Sequence, residues 1–251
     1  MTEKNGDLKD KIAIITGASG DIGSAVAVDF AMHGAGGIVI ADIDKEKASK
    51  VIDLIENNPS CRCIFVNTDI GKVHDIENLF ETAIRKFKAL DILVNCAGIC
   101  NTLSIDEVNP EQWDRLMSIN LKGTYLCCRE ALRIMQKQKS GKIVNVSSIS
   151  GRIGGFVTGI DYVTSKGAII ALTMSLAKIA GPYNINVNAV APGFIDTGMT
   201  KDFTHFNPET VPLRRVGNPE DVASVITFLA SERSSYITGA TIDINGGVFM
   251  S

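Results

Sequence analysis

"KIAIITGASGDIGSAVAVDFAMHG", Lys11 to Gly34, is the stretch whose reading decides the fold. It opens on the apolar run Ile12-Ala13-Ile14-Ile15, turns through Gly17, Gly20 and Gly23, and continues as a helical segment that Gly34 ends. Strand, glycine turn and helix in that order form a cradle for a pyrophosphate, because the N–H groups of the turn and the positive helix end face it together. A glycine turn alone is a weak signal; the elements around this one give it weight. One residue runs against the reading, since Asp21 brings a carboxylate to a place meant for an anion. It reads as the N-cap of the helix, with Gly20 allowing the close backbone approach. The alternative is that Asp21 faces the pyrophosphate and weakens its binding.

Outward from there the pattern repeats. "GGIVIAD", "CRCIFVN", "LDILVNCAG", "GKIVNVSS", "INVNAVAPG" and "GATIDINGG" read as strands. "KEKASKVIDLIENN", "VHDIENLFETAIRKF", the stretch from about Pro110 to Gln138, Tyr162 to Ala180, and "PEDVASVITFLAS" read as helices. Continuous apolar strands alternating with helices predict the α/β class: a Rossmann-type, doubly wound parallel sheet with helices on both faces. No linker, repeat or low-complexity tract divides the 251 residues, so residues 1–251 are expected to form a single domain.

A net charge of −3 gives no electrostatic ground for binding nucleic acid or an anionic membrane. The polar start "MTEKNGDLKDK" has no signal-peptide core, and no uninterrupted apolar stretch approaches the ~18 residues of a membrane helix. A cytoplasmic protein is expected. The six cysteines form no CxxC pair and the three histidines lie far from them, so no metal site is expected, only reduced thiols.

Asp42 ends "IVIAD", nineteen residues beyond Gly23. A carboxylate there accepts hydrogen bonds from both ribose hydroxyls of NAD and repels the 2′-phosphate of NADP. No arginine occupies the turn or the position next to Asp42, so NAD is the expected cofactor. Asp44, before "KEKA", fits the cap of the next helix better than Asp42 does. "YVTSK" then places Tyr162 and Lys166 on one face of a helix. Acid–base work near neutrality requires lowering a phenol from about 10 by roughly 3 units, about 4 kcal/mol. A neighbouring ammonium and the positive ring of NAD⁺ are expected to supply much of that.

These segments, with "NTDI", "NCAG", "INLKG", "VSS", "PGFIDT" and "ITGATIDINGG", resemble the short-chain dehydrogenase/reductases in their compact single-domain form, nearly end to end. The resemblance implies that Tyr162 is the proton donor or acceptor and that Lys166 lowers its pKa and holds the nicotinamide ribose. Ser148 would bond the substrate oxygen, and Asn120 would help anchor a proton-relay water. Gly17, Ser19, Gly20, Asp21, Ile22 and Gly23 would form the pyrophosphate turn. Asp69 and Ile70 would meet the adenine, Asn95, Ala97 and Gly98 would line the adenosine side, and Pro192, Gly193, Ile195 and Thr197 would face the carboxamide.

This chain departs from the family pattern in three places. Asp21 stands where the middle glycine is usual, Cys96 replaces the second asparagine of "NNAG", and Ser148 precedes Tyr162 by fourteen residues, one more than is common. The extra residue falls in "SGRIGGFVTGID", which leaves Ser147 as an alternative for the serine role.

The segment "GMTKDFTHFNPETVP", about 198–212, is expected to be a lid. In it Met199, Phe203, Phe206 and Val211 form either an apolar wall for substrate or ordinary lid packing. The helix Tyr162–Ala180 is apolar around most of its circumference, so one side is expected on the sheet and the other on a partner. By resemblance that is the face through which the family builds homotetramers. The ending "NGGVFM" is similar to that of the 3-oxoacyl-carrier-protein reductases, and Arg133 and Lys178 fall where those enzymes meet the acidic carrier. Asp42 and a shorter lid count against that assignment. The expected function is an NAD-dependent oxidoreductase acting on a secondary alcohol or its ketone, such as a polyol, sugar or hydroxyacyl compound. A 3-oxoacyl-carrier-protein or acyl-CoA thioester reductase is the alternative. A non-catalytic NAD-binding sensor or scaffold is a third, opposed by the complete set Asn120, Ser148, Tyr162 and Lys166.

Overall fold

In the computed structural model, which describes residues 6–56, 61–155, 157–201 and 207–250, seven parallel strands form one sheet. They are β1 (Ile12–Thr16), β2 (Gly37–Asp42), β3 (Arg62–Asn67), β4 (Ile92–Asn95), β5 (Gly141–Val146), β6 (Ile185–Pro192) and β7 (Thr241–Ile244). Their order is β3-β2-β1-β4-β5-β6-β7. Chain progression therefore reverses between β1 and β4, and the crevice beyond the carboxyl ends of those strands is where this architecture receives ligands.

The doubly apolar strands are explained by two cores, one on each face. Ala13 and Ile15 of β1 pack toward α1 (Asp21–Met32), α2 (Lys45–Glu56) and α8 (Pro219–Ala230). Ile14, between them, points to the opposite face. It joins α3 (Val73–Phe87), α5 (Thr124–Gln138) and α7 (Ile160–Ala180). Neither face of the central strands is left to water, which is why their sequences do not alternate.

The stretch from Pro110 to Gln138 is helical throughout but not uniform. Asn109 caps α4 (Pro110–Met117) in a reciprocal box, accepting from Gln112 N at 2.9 Å while the Gln112 side chain accepts from Asn109 N at 3.0 Å. A π-helical turn, Ser118–Gly123, then joins α4 to α5. A Cβ on Gly123 would lie 2.5 Å from the Ile70 carbonyl oxygen, so glycine is required where this turn meets the loop after β3.

The short α6 (Ser150–Ile153) precedes α7, which begins two residues before the expected Tyr162. By length and composition α7 with the turn after it is apolar enough to cross a membrane. It also buries Asp161, Ser165, Lys166 and Thr173 among paired polar groups, and its inner face belongs to the second core. Its outer side leaves Met174 and Ile179 48% and 54% exposed. Among the described residues all six cysteines are free thiols, and no three His, Cys, Asp or Glu side chains converge as metal ligands.

Candidate active site

A cleft of about 490 Å³ opens at the carboxyl ends of the strands, and its floor is the glycine turn between β1 and α1. Gly17 has φ +65°, and a Cβ there would lie 2.5 Å from Ala97 Cα. The turn is thus pressed against the segment after β4, which only glycine permits. At Gly20 an added Cβ would meet nothing closer than Gly17 O at 3.4 Å, so its bare backbone faces open space. Ser19, Ile22 and Gly23 complete the lining of the floor.

Gly20, in extended conformation, is the N-cap of α1, and Asp21 is the first helical residue. The capping expectation for Asp21 is therefore corrected. The turn ends one residue earlier than expected, and the Asp21 carboxylate leaves the helix end to accept from Gly198 N at 2.7 Å. Asp42 ends β2 at the cleft wall with both oxygens oriented by backbone. Oδ2 accepts from Ser19 N at 3.0 Å, and Oδ1 accepts from Ile43 N at 2.8 Å and Asp44 N at 3.2 Å. Asp44 caps α2 through Lys47 N at 3.0 Å. Lys47 lines the cleft beside these carboxylates, with its ammonium 3.4 Å from Asp44, a placement the sequence reading missed.

Four residues expected to contact the cofactor border the cleft without lining it. Asp69 turns its carboxylate to Gly71 N at 2.9 Å and to the Lys72 ammonium at 3.7 Å, and Ile70 is buried under Gly123. Asn95 donates to Asn145 Oδ1 at 2.9 Å inside the sheet, and its own Oδ1 is the one buried side-chain polar atom without a partner among the described residues. Ala97 packs on Gly17. Cys96 and Gly98 are the residues of "NCAG" that reach the cleft. Burial pushes the Cys96 thiol up to about 12.

The chemical end of the cleft is built by the start of α7 and the loops after β4, β5 and β6. Tyr162 and Lys166 are 8% and 5% exposed. The Lys166 ammonium lies 5.6 Å from the Tyr162 ring centroid and donates to Val146 O at 2.9 Å. Ser148 Oγ accepts from Ser150 N at 3.1 Å and adjoins the phenol closely enough to favour its ionised form, whereas Ser147 donates to Lys166 O at 2.8 Å and so secures the helix. That distribution assigns the serine position beside the phenol to Ser148.

Asn120, fully buried in the π turn, grips the loop after β4 from both ends of its amide. Its Oδ1 accepts from Ile99 N at 2.8 Å and its Nδ2 donates to Ile99 O at 2.9 Å and Ser165 Oγ at 3.1 Å. A Cβ on Gly98 would lie 3.3 Å from Asn120 Oδ1 and 3.5 Å from Lys166 Nζ, which places these groups around one small space.

Asp161 was not foreseen. It is fully buried, accepting from Asn101 Nδ2 at 2.7 Å and from Tyr162 N at 2.8 Å, and it braces the loop after β4 against the start of α7. The only sequence signal was its adjacency to Tyr162.

Pro192, Gly193, Ile195 and Thr197 line the roof. There the Thr200 hydroxyl donates to Ile195 O at 2.6 Å and accepts from Thr197 N at 3.1 Å, knotting 195–200 into one unit. Of the expected apolar lid residues, Met199 lines the cleft and Val211 is buried outside it, while Phe203 and Phe206 lie outside the described residues.

Burial, the largest influence, raises the Tyr162 phenol well above its usual range, and the neighbouring Ser148 side chain opposes this only in part. Burial also lowers Lys166 to about 8. Proximity of the lysine does not by itself make the phenol acidic, because both groups are out of water and burial disfavours the charged form of each.

A sequence profile of the family described as enoyl-(acyl carrier protein) reductase matches residues 17–249. The 3-oxoacyl-[acyl-carrier-protein] reductase of Aquifex aeolicus is 39% identical over 246 residues, covering 96% of this chain and 98% of that protein. The enzyme of the same name from Thermotoga maritima is 39% identical over 245 residues, again covering 96% and 98%. Among solved structures, a putative short-chain alcohol dehydrogenase from Sinorhizobium meliloti superposes with a TM-score of 0.91 at 35% identity, covering 96% of this chain and 97% of that one. A 3-oxoacyl-[acyl-carrier protein] reductase with bound NAD from Brucella melitensis superposes at 0.90 with 31% identity, covering 100% and 97%. Since this likeness extends through the floor, wall and roof of the cleft alike, the chain belongs to the short-chain dehydrogenase/reductase family of oxidoreductases, whose fold binds a nicotinamide cofactor.

Proposed function

We propose that the protein interconverts a ketone and a secondary alcohol with NAD(H), and that its substrate is a 3-oxoacyl thioester. One observation carries the reaction type: a buried phenol, with Ser148 beside it in the same cleft and a buried ammonium 5.6 Å from its ring, stands at the far end of the cleft from an oriented carboxylate. The residues fit a dinucleotide. The Gly20 backbone and the start of α1 suit its pyrophosphate, Asp42 its adenosine ribose hydroxyls, and Lys166 the hydroxyls of the second ribose. The bound nicotinamide supplies or accepts the hydride.

The protein's own groups manage the oxygen and its proton. Burial keeps Tyr162 protonated at neutral pH, the state needed to donate a proton to the alkoxide oxygen formed on reduction. Ser148 donates a second hydrogen bond to that oxygen where negative charge develops. Asn120 fixes the Ile99 loop and Ser165 beneath these groups, and Asp161 sets the start of the helix that carries them.

Asp42 supports NAD over NADP, since its carboxylate sits where a 2′-phosphate would bring like charge. The Brucella protein, named a 3-oxoacyl reductase and holding NAD, supports pairing that cofactor with this substrate class. For the carrier, the thioester reading rests on the relatives' names alone. Arg133 is engaged by both oxygens of Glu130 at 3.0 Å, which favours a substrate that does not depend on an acidic carrier protein. The exposed strip of Met174 and Ile179 on α7 supports homotetramer formation, and six free thiols suit a cytoplasmic, reducing location. Light scattering at micromolar concentration tests the assembly, and a monomer overturns it.

Oxidation of NADH and NADPH, followed by absorbance with acetoacetyl-CoA, acetoacetyl-carrier protein, ketoses and hydroxy acids, tests the reaction. NADH-dependent reduction of a thioester is expected. Turnover confined to polyols and ketoses overturns the substrate class. Tight NADH binding with no turnover on any compound overturns catalysis in favour of a sensor.

A further inference from the structure

We propose that Asp21 is a latch that governs how fast the dinucleotide enters and leaves the cleft; the inference rests on the proposed cofactor reading. Three observations lead to it. Asp21 replaces the glycine usual at its place in the turn, and its carboxylate is not used in capping, because Gly20 holds the cap position. Asp21 Oδ2 instead accepts from Gly198 N at 2.7 Å, joining positions 177 residues apart on the floor and roof of one cleft. The roof end is itself a built unit: Thr200 knots residues 195–200, and Ile195 bridges to Gly217 with Asp196 N donating to Gly217 O at 2.8 Å.

A hydrogen bond to an ionised acceptor is stronger than a neutral one. Placed between floor and roof, this bond opposes separation of the two walls. It joins floor to roof without using a group of the ligand, so it has to open for the dinucleotide to enter and again for it to leave, and it re-forms after each passage. The latch therefore slows both steps together and leaves affinity nearly unchanged.

Stopped-flow NADH fluorescence on the full-length protein and the variants Asp21→Gly and Asp21→Asn reads this directly, with amide hydrogen exchange at Gly198 measured in the unloaded protein. Asp21→Gly, which removes the acceptor, is expected to raise association and dissociation rates about fivefold each, equivalent to about 1 kcal/mol. Kd should move less than twofold, and Gly198 exchange should accelerate. Asp21→Asn retains an acceptor oxygen without the charge, so its rates are expected to fall between those of the parent and those of Asp21→Gly. Unchanged rates in Asp21→Gly overturn the latch. So does a tenfold or greater tightening of NADH in both variants, which would mean that the charge was repelling the pyrophosphate. An Asp21→Asn protein that exchanges ligand as fast as Asp21→Gly also overturns it. If the parent binds neither NADH nor NADPH, the cofactor reading fails instead, and Gly198 exchange alone upholds or overturns the contact.

Discussion

Replacing Lys166 with methionine should stabilise the folded protein near neutral pH while abolishing its chemistry. Lys166 is 5% exposed, and its ammonium donates to Val146 O; among the described residues no carboxylate lies in salt-bridge contact with it. Burial moves it from 10.5 to about 8. Between those values the unfolded chain binds more protons than the folded one, so this residue's contribution to stability rises with pH across that window and is least favourable below it. A displacement of this size corresponds to roughly 3 kcal/mol, most of which is relieved between about pH 7 and about pH 10. Methionine fills a similar volume without charge, although it gives up the bond to Val146.

Urea unfolding followed by circular dichroism, at equal protein concentration across that pH range, measures the difference in stability between Lys166→Met and the parent. Reading the difference removes the behaviour common to both. Tyr162 and the buried thiols have raised folded pKa values, so they lose stability as pH climbs past their unfolded values in either protein. The variant's advantage should shrink by roughly 2–3 kcal/mol from about pH 7 to about pH 10. A difference that stays flat within about 0.5 kcal/mol would refute the reasoning, because it would mean that the ammonium is solvated in the folded state.

Tyr162→Phe should lower kcat by about 10³-fold or more while NADH binds within about threefold of the parent by fluorescence titration; residual turnover above a tenth would remove the phenol from the proton path. Asp42→Ser should shift the ratio of kcat/KM for NADH over NADPH toward NADPH by about tenfold or more, since it removes both a ribose acceptor and a repelling charge. An unmoved ratio places cofactor choice elsewhere, with Lys47 the first residue to examine. Gly17→Ala should cost about 2–3 kcal/mol in chemical denaturation, because its φ of +65° and the 2.5 Å approach to Ala97 Cα penalise any side chain. A cost below about 0.5 kcal/mol would show that the turn relaxes freely.

The strands and most helices were legible because burial on two faces writes itself into consecutive residues, as in Ala13–Ile15 and Ile38–Ala41. Local spacing was enough for the Asp44 cap, three residues from its donor Lys47. The same logic failed for Asp21, whose partner is 177 residues away, and for Asp161, whose partner Asn101 is 60 residues away. Nothing in a helical repeat announces either contact. The Tyr162–Lys166 spacing located the pair correctly but carried no account of its burial, and burial decides the direction in which both groups titrate. Asp69, Ile70 and Asn95 were legible by motif, but their partners Gly71, Gly123 and Asn145 were not, because those contacts depend on how the loops and strands pack.

The widened turn at Ser118–Gly123 lets one helix obey two phases. An extra residue advances everything beyond it by about 100° relative to an uninterrupted α-helix. Asn120 can thereby look toward Ile99 and Ser165 while Cys127, Cys128, Ala131 and Met135 still meet the sheet. Excising a single residue here would leave a more regular rod in which one of the two azimuths is lost. At this segment the number of residues therefore constrains the fold as strictly as their identity does.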